Sequence, residues 1–183
     1  MRILTVCTGN VCRSPAAGYL LADAFADDPA VVVTSAGTGA PEGMPVSPVV
    51  GELLRERGID ASPHRARYLT PAIVASADLI LTATRQHRSA VVSLAPLALR
   101  RTFTLRELPR LIAAAGPAAL DPAPTPSARL AALLPAALRR RGGATPADDD
   151  IEDPIGRDRA FNAAVLAQIA DAVAQLSAQA HGR

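Results

Sequence analysis

The sequence predicts an α/β fold: a small, doubly wound, four-stranded parallel sheet, Rossmann-like or flavodoxin-like, with helices on both faces. Three observations carry this. Short apolar runs rich in β-branched residues alternate with stretches of helical period from Arg2 to the segment that starts at Arg106. The strand runs read as buried, as in a sheet covered on both faces. A loop suited to holding phosphate follows the first strand, at the carboxyl end where open α/β sheets bind ligands.

Arg2–Val6 reads as a short buried strand. Pro15–Ala26 follows with Ala17, Tyr19, Leu20, Leu21, Ala24 and Phe25 on a helical face, and Pro15 suits a first turn, where no N–H is missed. Val31–Thr34 reads as a second strand entering the turn Ser35-Ala36-Gly37-Thr38-Gly39, and Pro48–Arg57 as a helix closed by Gly58. A loop through His64 leads to a short helix near Pro71–Ser76. Asp78–Thr82 is a third strand, Gln86–Leu94 a helix, Thr102–Leu105 a fourth strand, and a helix starts at Arg106. The final helix, Arg159–Gln179, carries Phe161, Val165, Leu166, Ile169, Val173 and Leu176 as a packing face. The 183 residues read as one domain, 1–183. Within it, 116–150 is an Ala/Pro-rich insertion with a helical pattern at Ser127–Arg141, and a solvated surface segment is its favoured reading.

Composition narrows the function classes. A net charge of +2 gives no reason to expect nucleic acid or an anionic membrane surface as partner. No apolar run approaches a membrane span, and the chain opens on a strand rather than a targeting segment, so a cytoplasmic location is expected. Two nearby cysteines make no disulfide framework, and three scattered histidines with them give no metal-ligand spacing; neither metal nor cofactor is expected. Nothing in the sequence reads out the oligomeric state.

The chemistry lies in Cys7-Thr8-Gly9-Asn10-Val11-Cys12-Arg13-Ser14-Pro15. A bare cysteine with an arginine six residues on is a weak signal; its place between a strand and a helix makes it strong. Successive backbone N–H groups in such a loop form an anion nest, and the helix N-terminus adds partial positive charge. Gly9 and Asn10 tolerate left-handed backbone angles. Arg13 offers a planar fork for two phosphoryl oxygens. The same field favours the thiolate of Cys7, which can attack phosphorus. Ser14 can donate a hydrogen bond to that sulfur. The bland reading of Cys7, a buried core cysteine, would leave Gly9, Asn10, Arg13 and Ser14 as accidents. An acid is also needed for the leaving oxygen, and Asp148, Asp149, Asp150, Glu152, Asp153 and Asp158 are candidates that spacing does not separate.

This loop resembles the signature of the low-molecular-weight protein tyrosine phosphatases. The likeness continues through Ser35-Ala36-Gly37-Thr38, Gly58-Ile59-Asp60, His64-Arg65-Ala66-Arg67 and Asp78-Leu79-Ile80-Leu81-Thr82, and returns at Ile151-Glu152-Asp153-Pro154. The resemblance implies a phosphoric monoester hydrolase working through a cysteinyl-phosphate intermediate. Cys7, Arg13 and Asp153 would be catalytic, with Asp153 as general acid and then base. Thr8, Gly9, Asn10, Val11, Cys12, Arg13 and Ser14 would form the phosphate-binding loop. Ser35 and His64 would brace Asn10, and Cys12 could pair with Cys7 under oxidation. A tyrosine-phosphorylated protein is the implied substrate, with a bacterial tyrosine kinase a typical partner. His87 and His181 have no such support.

The chain also departs from the pattern. Where tyrosine-selective members carry aromatics, it has Ile155 and an aliphatic loop containing Met44, which thins any ring-stacking wall. Thr84 stands where many relatives have an acidic residue. Phosphoarginine phosphatases of the family favour Thr where this chain has Val11, so tyrosine is preferred over arginine as substrate. Arsenate reductases of related fold need further cysteines that are absent here. Two other readings are a phosphate-binding module without turnover and a redox sensor built on Cys7 and Cys12.

Overall fold

The computed structural model describes residues 1–116, 123–141 and 149–183. Four strands, β1 (Arg2–Cys7), β2 (Val32–Gly37), β3 (Leu79–Thr82) and β4 (Thr102–Thr104), form one sheet in the order β2-β1-β3-β4. Every pairing is parallel; Ile3 lies beside Val33 and Leu79, and Leu81 beside Phe103. The chain leaves β1 toward β2 on one side and returns toward β3 on the other. The order therefore reverses beside the carboxyl end of β1, where Cys7 sits.

Helices α1 (Arg13–Ala24), α2 (Pro48–Arg55), α3 (Pro71–Ala75), α4 (Arg85–Leu94), α5 (Glu107–Ala115), α6 (Pro126–Arg140) and α7 (Arg159–His181) connect and cover the strands. Side-chain alternation divides the core in two. Ile3, Leu79, Leu81 and Phe103 pack with Leu21, Leu54, Leu108, Leu166, Ile169 and Leu176 from α1, α2, α5 and α7. Leu4, Val6 and Ile80 face the other way and pack with Val74 and Val91 of α3 and α4. Two-sided burial suits the apolar runs of β1 and β3, whereas β2 at the sheet edge is partly exposed and β4 is Thr-Phe-Thr.

Local chemistry sets the helix ends. Thr70, Thr84, Thr125 and Asp158 each accept a backbone N–H of the first turn they precede. Gly58 (φ +80°) follows α2 and Gly182 (φ +73°) follows α7, both in the left-handed region that closes helices. The last helix runs two residues beyond the expected Gln179. A 3₁₀ turn over Pro96–Arg101, with Leu97 and Leu99 exposed, carries no periodic signal and was not expected.

The insertion needs correction over its described part. Helix α6 buries Leu130, Leu133 and Ala137 in the same core as α5 and α7. Arg129 Nε donates to the Gln179 carbonyl of α7. It is a core helix, not a solvated segment: its apolar positions recur at helical spacing and find a partner face. Part of 116–150, including the candidate acid Asp148, lies outside the described residues.

Candidate active site

β1 ends at Cys7 and α1 begins at Arg13, so the five residues between them form a tight turn at the sheet's carboxyl edge. No side chain caps α1 and its first turn holds no acidic residue, so its amides stay available to an anion. The Thr5 hydroxyl donates to the Ser14 carbonyl at 2.7 Å, pinning the first turn of α1 to β1.

The Cys7 sulfur is buried. The Asn10 backbone N–H donates to it at 3.3 Å, and the Ser14 hydroxyl lies 3.0 Å away. Asn10 holds the turn in shape. It is the non-glycine residue with a left-handed backbone (φ +52°) among those described, and its side chain is fully buried. Its Nδ2 donates to Ser14 Oγ (2.9 Å) and Ser35 Oγ (2.8 Å), and its Oδ1 accepts the Arg67 N–H at 2.9 Å. His64 Nε2 donates to the Asn10 carbonyl at 2.7 Å. Burial, with Arg67 and Arg65 nearby, holds the His64 imidazole below its ordinary value. Ser35 and His64 thus both touch Asn10. Gly9 does not use the left-handed region; Asn10 alone supplies that bend.

The close glycine is Gly37. A Cβ there would sit 2.3 Å from the Thr8 carbonyl oxygen and 2.9 Å from Asn10 N. The backbone after it ties the loop to β2, with Thr38 N donating to Cys7 O and Gly39 N to Thr8 O, both at 3.0 Å.

Arg13 is buried. Its Nη1 donates to the Ile151 carbonyl at 3.0 Å and its Nη2 meets Asp153 Oδ2 at 2.5 Å. Its Nε is buried with no partner among the described residues, a donor suited to an oxyanion. Among the described acidic candidates, Asp149 pairs with Arg110, Asp150 with Arg85, Asp158 caps α7 and Glu152 is exposed, whereas Asp153 reaches Arg13 beside the loop. Asp153 Oδ1 also accepts the Ile155 N–H. Ile155 and Met44 are exposed, while Val11 packs partly against the core.

Cys12 lies under the loop, 3% exposed, and burial pushes its thiol up to about 11, with the Ser47 hydroxyl opposing the shift. Both cysteines are free thiols. His87 proves to be at the site: its Nε2 lies 2.8 Å from Thr8 Oγ1 and its Nδ1 2.7 Å from Thr84 Oγ1. Thr84 caps α4 and holds this ring. The sequence separation of 79 between Thr8 and His87 hid the contact; only the fold brings them together.

A family model described as low molecular weight phosphotyrosine protein phosphatase matches residues 2–125. The chain belongs to this family. Among similar proteins is a probable low molecular weight protein-tyrosine-phosphatase, EpsP, of Ralstonia nicotianae: 42% identical over 106 residues, covering 58% of this chain and 71% of the relative. A protein-arginine-phosphatase of Geobacillus stearothermophilus is also 42% identical over 106 residues, covering 58% of this chain and 70% of the relative. Among solved structures, the YwlE arginine phosphatase of that organism superposes with a TM-score of 0.73 at 29% identity, over 99% of this chain and 93% of that one. A low molecular weight protein tyrosine phosphatase from T. tengcongensis gives 0.70 at 30% identity, over 96% and 97%. The family's fold is this four-stranded parallel sheet, and the relatives named tyrosine phosphatases are phosphoric monoester hydrolases. Low molecular weight phosphatases similar to this chain carry both tyrosine and arginine names. The segment with Asp153 lies beyond the residues that the family model matches.

Proposed function

We propose that this protein hydrolyses phosphorylated side chains of proteins, phosphotyrosine foremost, through a covalent phosphate on Cys7. The observation that carries the reading is the meeting of Cys7 Sγ, the uncapped amides of α1, Arg13 and Asp153 at one strand end. The cysteine sulfur attacks phosphorus in line, while the loop amides and Arg13 hold the oxygens on which charge is spread. Asp153 gives its proton to the leaving oxygen and then takes one from the water that splits the thiophosphate. Ser14, steered by Asn10, donates to the departing sulfur. Ser35 and His64 act on Asn10 rather than on substrate.

The test is turnover of para-nitrophenyl phosphate in chelator, which this reading expects. Cys7→Ser should show none; normal activity in that variant would end the assignment. An intact phosphate ester beside tight vanadate binding would point instead to a binding module without turnover.

A second substrate, phosphoarginine, is favoured by the similarity to the arginine phosphatase. Against it stands Val11, which lacks a hydroxyl. The aliphatic pair Ile155 and Met44 can pack on a phenyl ring but supplies no aromatic wall. Initial rates on phosphotyrosine, phosphoarginine and phosphoserine peptides of matched sequence rank these readings, with tyrosine expected first.

A further inference from the structure

Two histidines reach the phosphate loop from different elements, and the mechanism above uses only one of them. His64 holds the Asn10 carbonyl from the segment that follows α2. His87 projects from the first turn of α4 and meets Thr8, the residue directly after the nucleophile. We propose that His87 is a positioning residue for this reaction, its ring bracing Thr8 as a second strut that keeps the first amides of the loop aimed at the phosphoryl group. This rests on the phosphatase reading above.

Four observations support it. First, both ring nitrogens are engaged, each by a threonine hydroxyl under 3 Å away, so the ring cannot rotate without losing a bond. Thr84 Oγ1 accepts the His87 backbone N–H at 3.2 Å, which leaves its own hydrogen for Nδ1. The ring then carries its hydrogen on Nε2 and donates it to Thr8. Second, Thr8 is held from the opposite side as well, where its carbonyl accepts the Gly39 N–H at 3.0 Å. A residue fixed at both its carbonyl and its hydroxyl cannot swing the peptides that follow the sulfur.

Third, α4 is itself anchored to the site. The Ala83 N–H donates to the Val6 carbonyl, and the Ile151 N–H to the Ala83 carbonyl. Both the backbone N–H and the guanidinium of Arg85 hold Asp150. The base of the strut thus moves with β1 and with the segment bearing Asp153. Fourth, the ring is 6% exposed, and its charged neighbours are Arg13, Asp153 and Asp150. Burial first and Arg13 second lower it to about 4, so it stays neutral near pH 7 and holds one N–H and one lone pair for its two threonines. It orients; it does not exchange protons with substrate.

A double-mutant cycle tests this. His87→Ala and Thr8→Val remove the same bond from its two ends. Each should lower kcat/KM for para-nitrophenyl phosphate by about tenfold to a hundredfold and weaken orthovanadate inhibition in parallel, as loss of loop alignment does. The double variant should be no worse than the poorer single variant. Thr8→Ser and His87→Gln, which keep a hydroxyl and a side-chain N–H, should recover most of the loss. Losses that multiply in the double variant would overturn the proposal, as would wild-type kinetics in a folded His87→Ala. Should His87→Ala fail to fold, the contrast between Thr8→Val and Thr8→Ser decides alone, and equal rates in those two would overturn it. If the wild type shows no Cys7-dependent turnover, the phosphatase reading fails. Orthovanadate affinity, measured by calorimetry across the same variants, then still reports on the brace.

Discussion

The Asp153 carboxylate is paired with the Arg13 guanidinium, Oδ2 to Nη2, at the mouth of the phosphate loop. Arg13 is almost fully buried there, whereas Asp153 is about half exposed. On the proposed mechanism, Asp153 would then both protonate the leaving group and compete with the phosphoryl group for the arginine. Asp153→Ala should therefore separate binding from chemistry. The chemical step should fall by about 10²–10⁴-fold. Inorganic phosphate, measured as a competitive inhibitor, should bind more tightly because a competing negative charge is gone. An unchanged rate would move the acid elsewhere, and weaker phosphate binding would contradict the competition.

Gly37 is the tightest backbone approach at the loop. A methyl group there would lie 2.3 Å from a carbonyl oxygen, and backbone cannot step aside as a flexible side chain does. Gly37→Ala should cost about 1–3 kcal/mol in urea unfolding, as overpacking does, and lower kcat with it. An alanine variant with wild-type midpoint and rate would mean that the end of β2 does not hold the loop.

Acid should destabilise the protein through His87. Its folded value lies near 4 against an ordinary 6.5. Between these the unfolded chain binds a proton that the folded chain refuses, so the stabilisation is present above pH 6.5 and is lost as pH falls toward 4. The lowered His64 and Asp150 act in the same direction. At full effect that lowering corresponds to roughly 3 kcal/mol. Urea midpoints from pH 7.5 to 4 should fall, and the fall should be shallower in His87→Gln. Identical slopes in the two proteins would show that the imidazole is not held neutral.

Cys12 sits beneath the same loop as a protonated thiol raised to about 11. If it shelters an oxidised Cys7, it must lose that proton to form the disulfide, so protection should quicken as pH rises from 7 toward 10. Peroxide inactivation should be reversed by dithiothreitol in the wild type and become irreversible in Cys12→Ser. Equal recovery in the two would exclude sheltering.

Much of this was legible in the order of residues. β1 and β3 showed themselves as apolar runs because both their faces are buried; the end of β2, Ser35-Ala36-Gly37, reads as a turn in the sequence because its residues are small or polar. The Cys7–Pro15 loop stood out because its parts are contiguous; spacing did not separate Asp153 from its acidic neighbours, and only the family resemblance at Asp153-Pro154 picked it out. Long-range contacts were hidden. Nothing near His87 in the chain indicates Thr8, and nothing near Asp149 or Asp150 indicates their partners Arg110 and Arg85. The helix over Pro126–Arg140 was legible in its periodicity but its burial was not, because an Ala/Pro-rich segment reads as surface until α5 and α7 supply the face for Leu130 and Leu133. Gly37 looked like a turn residue, yet it is needed because another stretch of backbone passes beside it.

Transfer of the phosphoryl group to the sulfur of Cys7 can be trapped by rapid acid quench during turnover of para-nitrophenyl phosphate, followed by peptide mass analysis. Phosphate is expected on the peptide that contains Cys7, accumulating further where the hydrolytic step is slowed by Asp153→Ala. Steady turnover with that peptide unmodified in both proteins, or with phosphate on another residue, would contradict it.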